Sequence, residues 1–441
     1  MAKSKNRISG ITVCGYKSIF TPQTIGIAPL TILAGANSSG KSSIMQPLLL
    51  LKQTIEAPGD PGALRLDGDH VRFTSTEQLL SHPSGQAAAP IFTVEIRLKA
   101  EESLHIAFRR EERKGFTVDR MIYGAGQERI EITEGMSHEA IIGILPEPWK
   151  SFHQDFTKRD KTARWSVFRD RCFLAFDLVS EKGPGRRIRF GPAGISPSAD
   201  FVPFIQGIIH LPGLRGNPRR TYPKAAVGSY FQGTFEPYVA SVIAKWQSED
   251  AAEMKQLGAA LEAMGLTWKV RAEPVDDTQV ELRVGRLVHP RRGGARDLVS
   301  IADVGFGVSQ SLPVVVSLIA ARPGQLVYLE QPEIHLHPLA QRRLAGVLKD
   351  AVKRGVVAVV ETHSALLLRE IQTLIATGLI DKDEVTLHWV QRGKEDGATV
   401  VKTAELDDNG AYGDWPEDFD QTELQAEQAY LDAVEAKGAG K

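Results

Sequence analysis

Residues 35–42 read Gly-Ala-Asn-Ser-Ser-Gly-Lys-Ser, the pattern G-x-x-x-x-G-K-S. They follow the apolar run Leu30-Thr31-Ile32-Leu33-Ala34 and open a segment whose pattern predicts a helix over residues 41–55. A buried strand that turns through glycines into a helix commits a chain to an α/β architecture. The glycines let successive backbone N–H groups curl around phosphate oxygens, and the helix N-terminus favours an anion. The expected phosphate-contacting residues are therefore Gly35, Asn37, Ser38, Ser39, Gly40, Lys41, Ser42 and Ser43. Lys41 would neutralise the outer phosphates, and the Ser42 hydroxyl would ligate Mg²⁺.

Two further apolar runs end in polar clusters. Residues 326–329 lead into Glu330-Gln331-Pro332-Glu333-Ile334-His335-Leu336-His337-Pro338, and residues 356–360 lead into Glu361-Thr362-His363-Ser364. In a parallel sheet such clusters fall at the C-terminal edge, beside the phosphate turn. Glu330 is the expected Mg²⁺ carboxylate, directly or through water. His363 would hydrogen-bond the terminal phosphate and sense its loss. His335 and His337 are spaced H-x-H with no third ligand cluster in view, so loop-shaping hydrogen bonds are expected of them rather than a transition metal.

Together these motifs resemble the ABC-type ATPases of the SMC, RecF and OLD kind. The resemblance rests on residues 35–42, on the strand ending Glu-Gln-Pro-Glu, on Thr-His-Ser at 362–364, and on the opening Gly15-Tyr16-Lys17-Ser18. It is similar in more detail to a bacterial family of AAA-type ATPases that shares three blocks: E-Q-P-E-x-H-L-H-P, Val304–Pro313 (V-G-F-G-x-S-Q-x-L-P), and a G-x-W-P-x-x-F segment at 413–419. The resemblance implies ATP and Mg²⁺ as cofactors and a nucleotide held between two heads, one of which supplies a signature loop. Here that loop is Asp303 to Gln310, with Gly305, Gly307 and Ser309 as the expected contacts. It departs from the L-S-G-G-Q pattern.

A second departure is Gln331, which occupies the position where such heads carry the water-orienting glutamate. Glutamine can hold a water but cannot take its proton. Three readings follow: hydrolysis is slow and binding sustains a long-lived dimer, or Glu333 supplies the base, or Glu361 does. The expected catalytic set is Glu330, Gln331, Glu333 and His363, with Ser42 and Glu330 at the metal.

The spacing of 289 residues between Lys41 and Glu330 exceeds a simple nucleotide-binding domain and falls short of coiled-coil arms. The expected fold class is α/β, a P-loop NTPase of ABC-ATPase type with a parallel core sheet, an antiparallel β-subdomain and an inserted mixed lobe. The boundaries read as 1–64 for the first half of the head, 65–135 for the β-subdomain, 136–288 for a basic inserted lobe, 289–403 for the second half of the head, and 404–441 for an acidic tail. Within the lobe, residues 145–235 read as irregular, and residues 237–264 as helical.

Charge supports that division. The chain has 441 residues with 53 Lys+Arg against 54 Asp+Glu, a net charge of −1. Residues 404–435 hold 11 acidic residues and no basic one, so the remainder carries +10. Arginine clusters at 186, 187 and 189, at 215, 219 and 220, and at 291, 292 and 296 suit either nucleic-acid phosphates or an interdomain face. Trp415, Pro416 and Phe419 offer the tail apolar anchors for docking on the basic body.

No leader peptide, membrane span or disulfide framework is expected, and Cys14 and Cys172 read as small buried hydrophobes in a reduced compartment. A cytoplasmic location follows. No nuclease triad is visible after Ser364. The resemblance implies a dimerising ATPase acting as sensor or motor in antiphage defence or DNA maintenance, with a separately encoded nuclease or toxin as effector and nucleic acid as a further partner. The competing readings are a non-hydrolysing nucleotide-dependent scaffold and a RecF-like DNA-repair head.

Overall fold

The computed structural model describes residues 6–413, except 84, 86, 100, 113–114, 182–186, 190–195 and 290–296, together with residue 428. Trp415, Pro416, Phe419, Arg186, Arg291, Arg292 and Arg296, and with them the expected docking of the tail, lie outside the described residues.

Three strands rich in Val, Ile and Leu are buried along nearly their whole length: Leu30–Ala34, Leu326–Glu330 and Val357–Thr362. Burial on both faces is what a parallel sheet needs, because its crossovers lay helices over each side. They lie within a six-stranded sheet ordered Ile209–Leu211, Leu326–Glu330, Val357–Thr362, Leu30–Ala34, Val385–Arg392, Thr399–Thr403. Every neighbouring pair is parallel except the last, an antiparallel hairpin. Register sets Glu330 beside Glu361 and Thr362 beside Ala34, so the polar strand ends share one edge.

The two faces of this sheet belong to two cores. Val327, Leu329, Ala358, Val360 and Ile32 pack with the helices Phe306–Ala320, Pro338–Lys353 and Ala365–Ala376. Tyr328, Val359 and Leu33 pack instead with the helix Lys41–Ile55 and a second, antiparallel sheet. That second sheet runs Gln23–Gly26, Ile8–Cys14, Ile91–Leu98, Glu102–Glu111, Gly115–Ala125, Glu128–Thr133. Its alternation is visible in Phe92, Val94, Ile96 and Leu98, all buried, with half-buried or exposed residues between them. The helix after the phosphate turn is thus held between two sheets, which fixes where its N-terminus points.

Residues 145–235 are more regular than their composition suggests. They contain the helix Glu147–Arg159, the hairpin Arg164–Asp170 with Phe173–Glu181, and Ile209–Leu211, an edge strand of the core sheet. The hairpin turns through Arg171 at φ 54 without glycine or asparagine, so its turn carries no sequence signal. The helical stretch expected over 237–264 is two helices, Val239–Ser248 and Ala252–Ala263, separated where Asp250 takes φ 46.

Among the described residues no helix is long and apolar enough to cross a membrane. Cys172 is buried and Cys14 partly so.

Candidate functional site

The phosphate turn is shaped by its neighbours as well as by its own glycines. Gly35 adopts φ 154, and a side chain there would meet the Val390 carbonyl oxygen at 2.1 Å. Gly40 adopts φ 102 at the helix N-cap, and a Cβ there would meet Thr399 Oγ1 at 2.2 Å. Only glycine satisfies both the dihedral and the space. Thr399 Oγ1 donates to the Ser39 carbonyl at 2.9 Å, and Arg392 Nε donates to the Ser38 carbonyl at 2.8 Å. The edge hairpin therefore grips the outer side of the turn.

Inside the turn, Lys41 Nζ donates to the carbonyls of Gly35 at 2.9 Å and Ala36 at 2.8 Å. Burial pulls its pKa down to about 8, with the charges of Glu361 and Glu333 pulling the other way. It remains a cation at neutral pH. Ser42 Oγ donates to Glu361 Oε2 at 2.8 Å, and Tyr328 donates its hydroxyl proton to Glu361 Oε1. Glu361 is almost fully buried. Burial, followed by the charge of Glu330, pushes its carboxyl up to about 7 despite these two donors.

Glu330 accepts from the Gly213 N–H at 3.0 Å and lies 3.1 Å from His210 Nε2. Burial works against ionisation there, but His210 and Gly213 outweigh it and hold the carboxyl below its ordinary value. His210 itself rests on His70, Nδ1 to Nδ1 at 3.0 Å, and stacks on Tyr328. Neither histidine nor Tyr328 stands out in the sequence. His210 sits in a three-residue strand, and the tyrosine hydroxyl is hidden in an apolar run.

Gln331 adopts φ 43, a left-handed conformation for a non-glycine residue. Its N–H donates to the Glu361 carbonyl at 2.9 Å and its carbonyl accepts from Arg215 Nη2 at 3.1 Å. Glu333 turns the other way: its Oε1 accepts from Thr362 Oγ1 at 2.7 Å and from the His363 N–H at 2.9 Å. Burial raises its pKa. His363 is pushed down to about 4 by burial and then by the charge of Lys41, so the ring is neutral at pH 7.

A cleft of about 580 Å³ opens over this edge, lined on its polar side by Asn37–Ser43, Gln331, Glu361, His363 and Arg392, and extending to Lys17, Gln46 and His82. Of the residues singled out from sequence, Asn37–Ser43, Gln331, Glu361 and His363 share this cleft, and Gly35, Glu330 and Glu333 do not line it. Glu330 lies beside Glu361 in the sheet, and Glu333 is tucked behind His363. Gly305, Gly307 and Ser309 do not line it. Gly305 caps the helix Phe306–Ala320, and Ser309 Oγ donates to the Phe306 carbonyl at 3.2 Å. His335 packs on the Phe306 ring at 5.7 Å, and His337 caps the helix Pro338–Lys353.

The donor set fits a hard cation. A serine hydroxyl and two neighbouring carboxylates are oxygen ligands of the kind Mg²⁺ takes, with phosphate oxygens and water completing the shell. Among the described residues no group of three or more His, Cys, Asp or Glu side chains is arranged to hold a metal ion unaided. Two of the three arginines in the second cluster are engaged: Arg215 is buried, and Arg220 forms a bidentate pair with Asp303 at 2.9 and 3.2 Å, while Arg219 is exposed.

Comparison with known families gives one match, over residues 181–369, to a family described as "AAA domain, putative AbiEii toxin, Type IV TA system". This stretch is similar to an AAA domain. It holds Gly305, Gly307, Ser309, Glu330, Gln331, Glu333 and His363, and it leaves out the phosphate turn and the edge hairpin. No curated protein matches the chain. Solved structures that resemble it include an SMC head bound to the C-terminal winged-helix domain of ScpA, with 13% identity, 91% of this chain and 98% of that one covered, and a TM-score of 0.48. The SMC head of Thermotoga maritima gives 13%, 91%, 100% and 0.42, and that of Pyrococcus yayanosii with a coiled coil and joint gives 11%, 92%, 98% and 0.46.

Proposed function

We propose that this chain is an ATP- and Mg²⁺-dependent ATPase of ABC type that hydrolyses slowly or conditionally and pairs with a second copy when nucleotide is bound. The observation that carries the reading is the convergence of Lys41, Ser42, Glu361, Gln331 and His363 on one cleft at the C-terminal edge of a parallel sheet. The backbone N–H groups of residues 37–43 would hold the phosphates, with Lys41 released from the Gly35 and Ala36 carbonyls to neutralise them. Mg²⁺, when bound, would offset phosphate charge, with Ser42 and Glu330 as its expected ligands. Neutral His363 has one N–H, directed at the Gly35 backbone in this structure, which would have to turn to the terminal phosphate on nucleotide binding.

Gln331 can orient the attacking water but not deprotonate it. Both of the other carboxylates are hydrogen-bonded, Glu361 by Ser42 and Tyr328 and Glu333 by Thr362 and His363, but only Glu361 lines the cleft. Position therefore favours Glu361, acting once the Ser42 hydroxyl is drawn away to nucleotide and Mg²⁺. The dimer reading is supported by exposed apolar side chains around the signature helix: Phe306 is 52% exposed, Leu339 46% and Leu214 93%. Their segments touch through His335 and Arg215. Exposed apolar residues rimmed by polar ones mark interaction surfaces. A role as sensor or motor in antiphage defence or DNA maintenance, with a separate nuclease or toxin, is the biological setting this mechanism suits.

The test is nucleotide titration with Mg²⁺ by calorimetry beside steady-state phosphate release and sizing with and without ATP. Lys41→Ala should abolish binding. Fast turnover by the isolated chain, unaffected by Glu361→Gln, would overturn the proposal. Binding with nucleotide-dependent dimerisation but no turnover under any condition would instead favour the non-hydrolysing scaffold, for which Gln331 is the supporting residue.

A further inference from the structure

The loop after the edge strand Ile209–Leu211 touches both halves of the proposed machinery. The Gly213 N–H holds Glu330 at 3.0 Å. Two residues on, Arg215 Nη2 donates to the Gln331 carbonyl at 3.1 Å and Arg215 Nε donates to Gln310 Oε1 at 3.3 Å. Gln310 returns a bond from its Nε2 to the Gly216 carbonyl at 3.1 Å. Gln310 belongs to the helix that opens with Gly305 and carries exposed Phe306 on its first turn. One arginine thus joins the signature helix to the backbone of the residue that faces the cleft.

This is not the arrangement of an arginine that only fills space. Arg215 is 9% exposed, and its Nη1 is buried with no hydrogen-bond partner among the described residues. Glu333 Oε2 is buried and equally unpaired, and the Glu333 charge acts on Arg215. The carbonyl it grips belongs to a residue held at φ 43. A left-handed non-glycine conformation persists only when its surroundings hold it there. The guanidinium fork reaches two acceptors at once, which a lysine ammonium on its flexible stem does not reproduce.

We infer that Arg215 is a positioning residue that transmits the location of the signature helix, through Gln310, to the backbone of Gln331. A partner seated on the exposed end of that helix would thereby set where the Gln331 amide stands in the cleft. The inference rests on the nucleotide reading for its consequence, but the mechanical link is present in the chain itself.

Two readouts test it. The first needs no nucleotide: hydrogen exchange of a peptide spanning residues 326–337, which contains the Gln331 N–H bonded to Glu361. Arg215→Lys and Gln310→Ala should each speed exchange there by about tenfold, the worth of one lost hydrogen bond. The double variant should exchange no faster than the more affected single variant, because the two act in series. Among the described residues Gln310 has no hydrogen bond to Gln331; its bonds go to Arg215 and to the Gly216 carbonyl, so an effect of Gln310→Ala that disappears in the Arg215→Lys background has travelled through Arg215. Unchanged exchange in this peptide, or additive effects, would overturn the relay. Should Arg215→Lys fail to fold, Gln310→Ala alone still decides it.

The second readout is kinetic. With ATP and Mg²⁺, both variants should lower kcat by about tenfold with KM within about twofold of wild type, the signature of a group acting only when the attacking water is set. Equal losses in nucleotide affinity and in kcat/KM would assign Arg215 to binding and overturn the relay. A wild-type chain that neither binds nor hydrolyses ATP would remove the proposed function, while the exchange experiment would still rule on the link.

Discussion

Ser42 and Glu361 are 319 positions apart in the sequence, yet the serine hydroxyl donates to the carboxylate at 2.8 Å. The first turn of the phosphate helix and the end of a core strand are thereby joined at one atom pair. The Tyr328 hydroxyl binds the other carboxylate oxygen, so Glu361 has both oxygens engaged in a nearly water-free position.

Glu361→Gln should stabilise the apo protein and disable it. Burial pushes the Glu361 carboxyl up to about 7. A folded value above the unfolded one means that stability rises as pH falls from about 7 toward 4.5 and is reduced above that window. The glutamine variant escapes this penalty, gaining about 2 kcal/mol at pH 8 and little at pH 5, as read from urea melts at both pH values. Turnover should fall by at least about a hundredfold. A variant less stable at pH 8 would show that the carboxylate is better solvated than its burial implies.

Gln331→Glu should raise kcat by about tenfold or more if proton acceptance limits hydrolysis. KM should hardly change, because the turn proposed to bind phosphates is untouched. Gln331→Gly makes the complementary measurement. Relief of the φ 43 conformation should add about 0.5–1 kcal/mol to stability while turnover falls. If Gln331→Glu leaves the rate unchanged, the first step of the reaction is limited elsewhere.

Much of this geometry was readable in advance, and the unreadable part has physical causes. Leu30–Ala34, Leu326–Glu330 and Val357–Thr362 are buried on both faces, so they appear as continuous apolar runs, and the polar residues ending them share an edge by register alone. Alternation exposed the antiparallel meander in the same way. His210 was invisible because its strand has three residues, too few to show a period. Arg392 and Thr399 reach the phosphate turn from a hairpin whose pattern says nothing about what its ends touch. Glu333 looked equivalent to Glu361 as a base in the sequence, and only the place of Glu361 in the cleft lining separates them.

His70 supplies a pH test away from the cleft. It is buried between His210 and Glu56, and burial, only partly offset by Glu56, pushes its pKa down to about 4. The folded state therefore resists a proton that the unfolded chain accepts near 6.5. Stability should be full above pH 6.5 and fall as pH drops toward 4, by up to about 3 kcal/mol from this group. Chemical denaturation across that range should show a shallower slope for His70→Gln than for wild type. An identical slope would mean that the imidazole is protonated in the fold.

Arg392→Ala tests whether the edge hairpin shapes the phosphate turn. Arg392 donates to the carbonyls of Ser38 at 2.8 Å and Gly397 at 2.7 Å, tying the hairpin to the turn. Its side chain is exposed, so removing it should cost the fold only about 1 kcal/mol. The turn is another matter. By the proposed function its N–H groups would bind phosphate only while its carbonyls are held outward, and among the described residues Arg392 and Thr399 are the hairpin side chains that hold them. Nucleotide affinity should fall by about tenfold, since one hydrogen bond's worth of order must be restored on binding. Thr399→Ala, which frees the Ser39 carbonyl, should act in the same direction, and the two together should weaken binding further because they hold different carbonyls. Calorimetric titration of ATP against both variants, beside their melting temperatures, checks this. If stability falls while affinity holds, the hairpin supports the sheet edge and leaves the turn to its own glycines.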